Sequence, residues 1–90
     1  MNVRILYCVV CGYRRRAERL ANAIRDHLGV TPTLEHGRLS QFDVFADDEP
    51  VASRQGGLLN HLTWGGFPDE TAVVERLSAL ASERARLHLH

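Results

Sequence analysis

Two cysteines three residues apart, Cys8 and Cys11, stand between a segment that alternates like a strand and one that repeats like a helix. No other feature narrows the fold as much. Across residues 2–7, Val3, Ile5 and Tyr7 fall on one face and Arg4 on the other, with apolar Leu6 pointing to cover on both sides. That pattern predicts a buried strand. Over 13–28, Ala17, Leu20, Ala21, Ile24 and Leu28 recur at spacings of three and four, the single apolar stripe of a helix that stops at Gly29. A second strand is predicted over 31–36, with Pro32 at its start. A strand–helix–strand unit of this length takes a right-handed crossover and pairs its strands in parallel.

The rest of the chain adds to the same sheet. Residues 41–46 read as a third strand with Phe42 and Val44 on one face. A polar turn over 47–50 and a short strand over 51–54 then make an antiparallel hairpin. Pro68, Asp69 and Glu70 are predicted to open a last helix, with proline in its first position and carboxylates in its first turn. Val73, Val74, Leu77, Leu80 and Ala81 are its buried stripe. The expected order is β-α-β-β-β-α: an α/β domain over 1–83, one four-stranded mixed sheet with both helices on one face, and a frayed tail over 84–90.

A chain of 90 residues suits one domain with one modest core. The formal net charge is zero, so nothing global draws it to nucleic acid. The longest apolar run, Ile5 to Cys11, is far shorter than the ~20 residues of a membrane span. Met1-Asn2-Val3-Arg4 runs into the first strand without a secretory pattern. The expectation is a cytoplasmic protein with neither a nucleic-acid nor a membrane partner. In a reducing compartment, Cys-x-x-Cys reads as redox or metal chemistry rather than a structural staple. Structural zinc takes four ligands, and His36 and His61 stand at no familiar spacing from Cys11, so no metal and no bound cofactor are expected.

A cysteine attacks as thiolate, and the start of a helix favours negative charge. Cys8 and Cys11 flank the predicted start, and a two-residue spacer lets their sulfurs meet and close after attack. Residues 1–30 hold six arginines against two carboxylates, and Arg14, Arg15 and Arg16 fall in the first helical turn. Cations there oppose the helix dipole, and only Arg14 with Glu18 has a favourable spacing. Arg14, Arg15 and Arg16 either stand solvated or favour a thiolate and draw an anionic thiol such as glutathione as co-substrate. In residues 56–67, Leu58, Leu59, Leu62 and Trp64 lie between glycines, and Phe67 follows the second pair. They either fold onto the core or form an apolar surface for a partner, including a second copy of the chain through 58–67.

The run Tyr7-Cys8-Val9-Val10-Cys11-Gly12-Tyr13-Arg14 resembles the signature of the selenoprotein W-related family, also called the Rdx or SelT/SelW/SelH family. The resemblance continues in Phe42-Asp43-Val44, in Ser53-Arg54 and in Gly66-Phe67-Pro68, so it spans nearly the whole chain. It implies a thioredoxin-like fold and a thiol–disulfide oxidoreductase linked to glutathione or thioredoxin. Cys8 and Cys11 would be the catalytic pair, with Gly12, Tyr13 and Arg14 in support. Selenium-containing members carry selenocysteine where Cys11 stands, so either sulfur is a candidate nucleophile. The alternative is a redox-sensitive binding module whose dithiol is a switch. One departure concerns thioredoxins, which place a proline directly before the third strand; here that stretch is Gly37-Arg38-Leu39-Ser40.

Overall fold

The computed structural model describes residues 1–53, 63–64 and 67–88. Its centre is β1 (Val3–Tyr7), where Val3, Ile5 and Tyr7 are buried and the intervening residues are half-buried. Antiparallel to it runs β3 (Phe42–Ala46). Val3 stands opposite Ala46, Ile5 opposite Val44 and Tyr7 opposite Phe42, and all of these are buried. Matched period-2 alternation therefore puts every apolar side chain of the pair on one face.

The segment between them begins with α1 (Arg14–Leu28), which buries Ala17, Leu20 and Ile24 and ends where the Gly29 N–H donates to Arg25 O. It returns the chain to β2 (Thr33–His36), parallel to β1 as the crossover requires. After β3, the edge strand β4 (Glu49–Ser53) completes a sheet of order β2-β1-β3-β4. A last helix, α2 (Glu70–His88), buries Val73, Leu77 and Leu80. Helix α1 packs on β1 and β2, α2 packs on β4, and the helices touch each other, so both cover one face. This is the expected α/β arrangement of four mixed strands and two helices. No helix among the described residues is long and apolar enough to cross a membrane.

The second face of the sheet carries a partial cover of its own. The Arg4 guanidinium lies 5.3 Å from the Phe45 ring centroid. Its Nε is 3.6 Å from Glu35 and its Nη1 3.3 Å from Asp48. An arginine stem laid over an aromatic ring shields apolar surface while its head stays paired.

Three local expectations are corrected. The polar turn is two residues long, not four: Asp47 (φ 49°) and Asp48 (φ 71°) both lie in the left-handed region, a type I′ turn, which matches strand twist. Pro50 therefore falls inside β4, which an edge strand beside a register shift tolerates. At the last helix, Pro68 lies in a two-residue ladder of β5 (Thr63–Trp64) with β6 (Phe67–Pro68), an element read as loop from the sequence. Asp69 is the cap instead, its carboxylate accepting the Ala72 N–H at 3.0 Å, and α2 begins at Glu70. Finally, α2 runs on to His88 rather than fraying from 84. Arg84 holds that turn in place by pairing with Asp47 and, at 3.6 Å, with Glu49.

Asp47 makes this last contact sensitive to pH. Its carboxylate accepts the Asn2 N–H at 2.8 Å, and that bond, with the Arg84 charge, holds its carboxyl below the ordinary value of 3.8. A depressed folded pKa stabilises above the unfolded pKa, and the contribution is lost as pH falls through the folded value. The urea midpoint of the parent should therefore fall more between pH 6 and pH 2.5 than that of Asp47→Asn. Equal falls in the two proteins would contradict this account of the turn.

Candidate redox site

The end of β1 delivers the first cysteine into the core. Cys8 is 1% exposed, and its N–H donates to Gln41 O at 2.9 Å. The chain then turns back over residues 9–12, with the Gly12 N–H on Val9 O at 3.1 Å and the Tyr13 N–H on Cys8 O at 3.4 Å. Gly12 takes φ 79°, a conformation that glycine adopts without a Cβ penalty. Tyr13 is the N-cap residue of α1, without a side-chain cap bond, and its ring meets Phe42 edge-on at 6.4 Å between centroids. The turn brings the Cys8 and Cys11 Cα atoms to 5.3 Å, within disulfide range, and the two sulfurs are bonded.

The two sulfurs occupy different surroundings. Cys8 is enclosed by the core, whereas Cys11 is half-buried at the surface, next to Val10, which is 85% exposed. Cys11 Sγ also receives a hydrogen bond, from the Ser40 backbone N–H at 3.4 Å. Ser40 belongs to the loop over 37–41 between β2 and β3, so residues 29 positions apart meet here. Leu39, the residue before Ser40 in that loop, is 73% exposed. A cleft of about 250 Å³ opens along the loop, lined by Arg38, Leu39, Gln41 and Asp43.

The loop is held at both ends. Gly37 donates its N–H to Tyr7 O at 2.8 Å, and the Gln41 N–H closes a turn on Arg38 O at 3.0 Å. The Gln41 side chain is buried, accepting the Arg38 N–H at 2.6 Å and donating to Asp43 at 2.8 Å. A Cβ at position 37 would overlap the Gln41 side-chain oxygen and come within 3.2 Å of Tyr7 N. Gly37→Ala should therefore cost about 1–2 kcal/mol by chemical denaturation, within the usual range for an overpacked site. A change within 0.3 kcal/mol of zero would show that the loop is not held this closely.

The surrounding charge is positive. The first turn of α1 contains no carboxylate, and Arg14, Arg15 and Arg16 are all exposed there. Arg14 reaches Glu18, with Nε 4.0 Å from its carboxylate, the pair that the spacing anticipates. Arg38 is exposed on the facing loop. Cys8, Cys11, Gly12 and Tyr13 thus form one turn, with the arginines directly following. Trp64 and Phe67 are backbone partners in the β5–β6 ladder, and β6 lies beside β4. Most of the 58–67 segment proposed for self-association lies outside the described residues. Sequence reasoning missed Ser40 and Gln41. Their signal was the stretch before the third strand, where thioredoxins carry proline; among the described residues no peptide bond is cis.

This arrangement can do thiol–disulfide chemistry: one cysteine half-buried, the other enclosed, and their sulfurs bonded. The Rdx family model matches residues 2–79. Among solved structures, a Bordetella parapertussis protein is 22% identical, with a TM-score of 0.73 over 87% of this chain and 94% of that one. A selenoprotein W-related protein from Vibrio cholerae is 20% identical, with a TM-score of 0.70 over 88% of this chain and 94% of its own. Both have the same thioredoxin-like fold as this chain. No curated protein matches.

Proposed function

This chain belongs to the Rdx family, and from that premise we propose that it is a thiol–disulfide oxidoreductase in which Cys11 attacks and Cys8 resolves. The observation that carries the reading is the unequal burial of two bonded sulfurs, Cys8 closed off in the core and Cys11 half-buried at the surface. In the reduced protein, the Cys11 thiolate attacks one sulfur of a substrate disulfide. A Cys11–substrate bond forms, and the first substrate sulfur leaves as thiolate and takes a proton from water. The Cys8 thiol loses its proton and attacks Cys11 Sγ from within, closing Cys8–Cys11 and expelling the second substrate thiolate. The substrate gains two electrons and the pair loses them. Two thiols of glutathione, or one dithiol protein, return the electrons and reopen the pair. Arg14, Arg15, Arg16 and Arg38 supply positive potential, which favours an anionic thiol such as glutathione as co-substrate.

The test is turnover. Catalytic protein with excess thiol reductant and a model disulfide should consume many equivalents of reductant. Consumption that stops at one equivalent would favour the second reading, a binding module switched by its own oxidation. The exposure of Val10, in the cysteine turn, and of Leu39, next to Ser40, gives that reading its support, because such groups suit a protein surface.

A further inference from the structure

We propose that Gln41 is a positioning residue for Cys11: it locks the 37–41 loop so that the Ser40 backbone N–H is aimed at Cys11 Sγ and stabilises the thiolate. This rests on Cys11 being the attacking sulfur. A disulfide sulfur is a weak acceptor, whereas a thiolate is a charged one, so the same N–H binds the reduced, ionised form far better. A hydrogen bond to the charged form lowers the thiol pKa.

The donor is not held in place by Ser40 itself. Ser40 sits at φ 64°, a left-handed conformation that costs free energy for a residue other than glycine and persists only where its surroundings impose it. Gln41 supplies those surroundings through four hydrogen bonds. Its N–H and its Oε1 both engage Arg38, on the carbonyl and the N–H respectively, which fixes the turn on the far side of Ser40. Its Nε2 is anchored on Asp43 of β3. Its backbone carbonyl takes the Cys8 N–H. One buried residue therefore ties the loop to the sheet and to the other cysteine while presenting its neighbour's N–H to Cys11. Gly37 leaves the space in which the Gln41 side chain lies.

The experiment is residue-resolved alkylation of the reduced protein across pH, read by peptide mass spectrometry. It compares the parent, Gln41→Leu, and the pair Gln41→Glu with Asp43→Asn. That pair reverses donor and acceptor between positions 41 and 43 and keeps the bond from the Arg38 N–H. In Gln41→Leu the Cys11 pKa should rise by about one unit, close to a tenfold loss of thiolate below that pKa. In the double variant it should return to within about 0.3 units of the parent. A low parental value that Gln41→Leu leaves unmoved, with the fold intact, overturns the positioning role alone. A parent in which Cys11 titrates no lower than Cys8 overturns the attacking-sulfur reading and this role with it. Where Gln41→Leu fails to fold, an ester in place of the Leu39–Ser40 amide deletes the donor and leaves every side chain unchanged. The same rise is expected, and its absence overturns the proposal.

Discussion

Cys11→Ser is expected to bring disulfide turnover down to the uncatalysed background, a loss of roughly a hundredfold or more. The reason is access. Cys11 stands at the surface beside exposed Val10, and its sulfur has an N–H donor in Ser40. Cys8 is 1% exposed, so a substrate disulfide reaches it only if the end of β1 opens. A hydroxyl at position 11 also sits at the surface, where it costs little, so the loss should be kinetic rather than structural. Unchanged thermal unfolding of the reduced variant checks this. Cys8→Ser should slow turnover rather than abolish it, because the mixed disulfide on Cys11 then has no internal sulfur to release it and waits for an external thiol. It should in addition lose about 1–3 kcal/mol of stability, because a polar hydroxyl then replaces the thiol at a position that is 1% exposed. Turnover retained in Cys11→Ser would exclude Cys11 as the attacking sulfur.

The largest expected loss of stability is at Ile5. Ile5 is completely buried in β1, between Leu34 of β2 and Val44 of β3. Ile5→Ala removes three carbons from a site bounded by two strands and roofed by the helices, so little collapse is available to refill the space. The cost should be about 3–4 kcal/mol, in the upper part of the range for such truncations. A domain of this size has a total stability of only about 5–15 kcal/mol, and each kcal/mol is worth roughly 4–8 °C. The midpoint should fall by about 15–25 °C. Val10→Ala, one turn beyond the same strand but 85% exposed, should stay within about 0.5 kcal/mol of the parent. Similar midpoints for the two variants would mean that the core is not centred on β1.

The strand–helix–strand unit was legible because each of its elements carries its own period. Val3, Ile5 and Tyr7 alternate, Ala17 to Leu28 repeat every three or four residues, and Gly29 marks the stop. These local signals agree with the final packing, so tertiary structure had nothing to override. The misread features were those decided by distant partners or by competition between local rules. Pro68 fits a first helical position by composition, but Asp69 can cap the helix and Pro68 can end a ladder, and that combination prevailed. Nothing near Arg84 shows that Asp47 lies within reach, 37 positions away. The cysteine turn was legible for the same reason as the helix, since Cys-x-x-Cys and Gly12 are contiguous. The Ser40–Cys11 contact was not, because it joins a loop serine in a left-handed conformation to a sulfur 29 positions earlier.

The most direct test of the central claim is to find which sulfur takes the substrate. Reduced Cys8→Ser and reduced Cys11→Ser are each mixed with a small disulfide and read by intact mass. The account predicts a rapid, stable mixed disulfide on Cys11 in Cys8→Ser, and little or no adduct on Cys8 in Cys11→Ser until the fold is opened with denaturant. A prompt adduct on Cys8, with Cys11 slow, would contradict it.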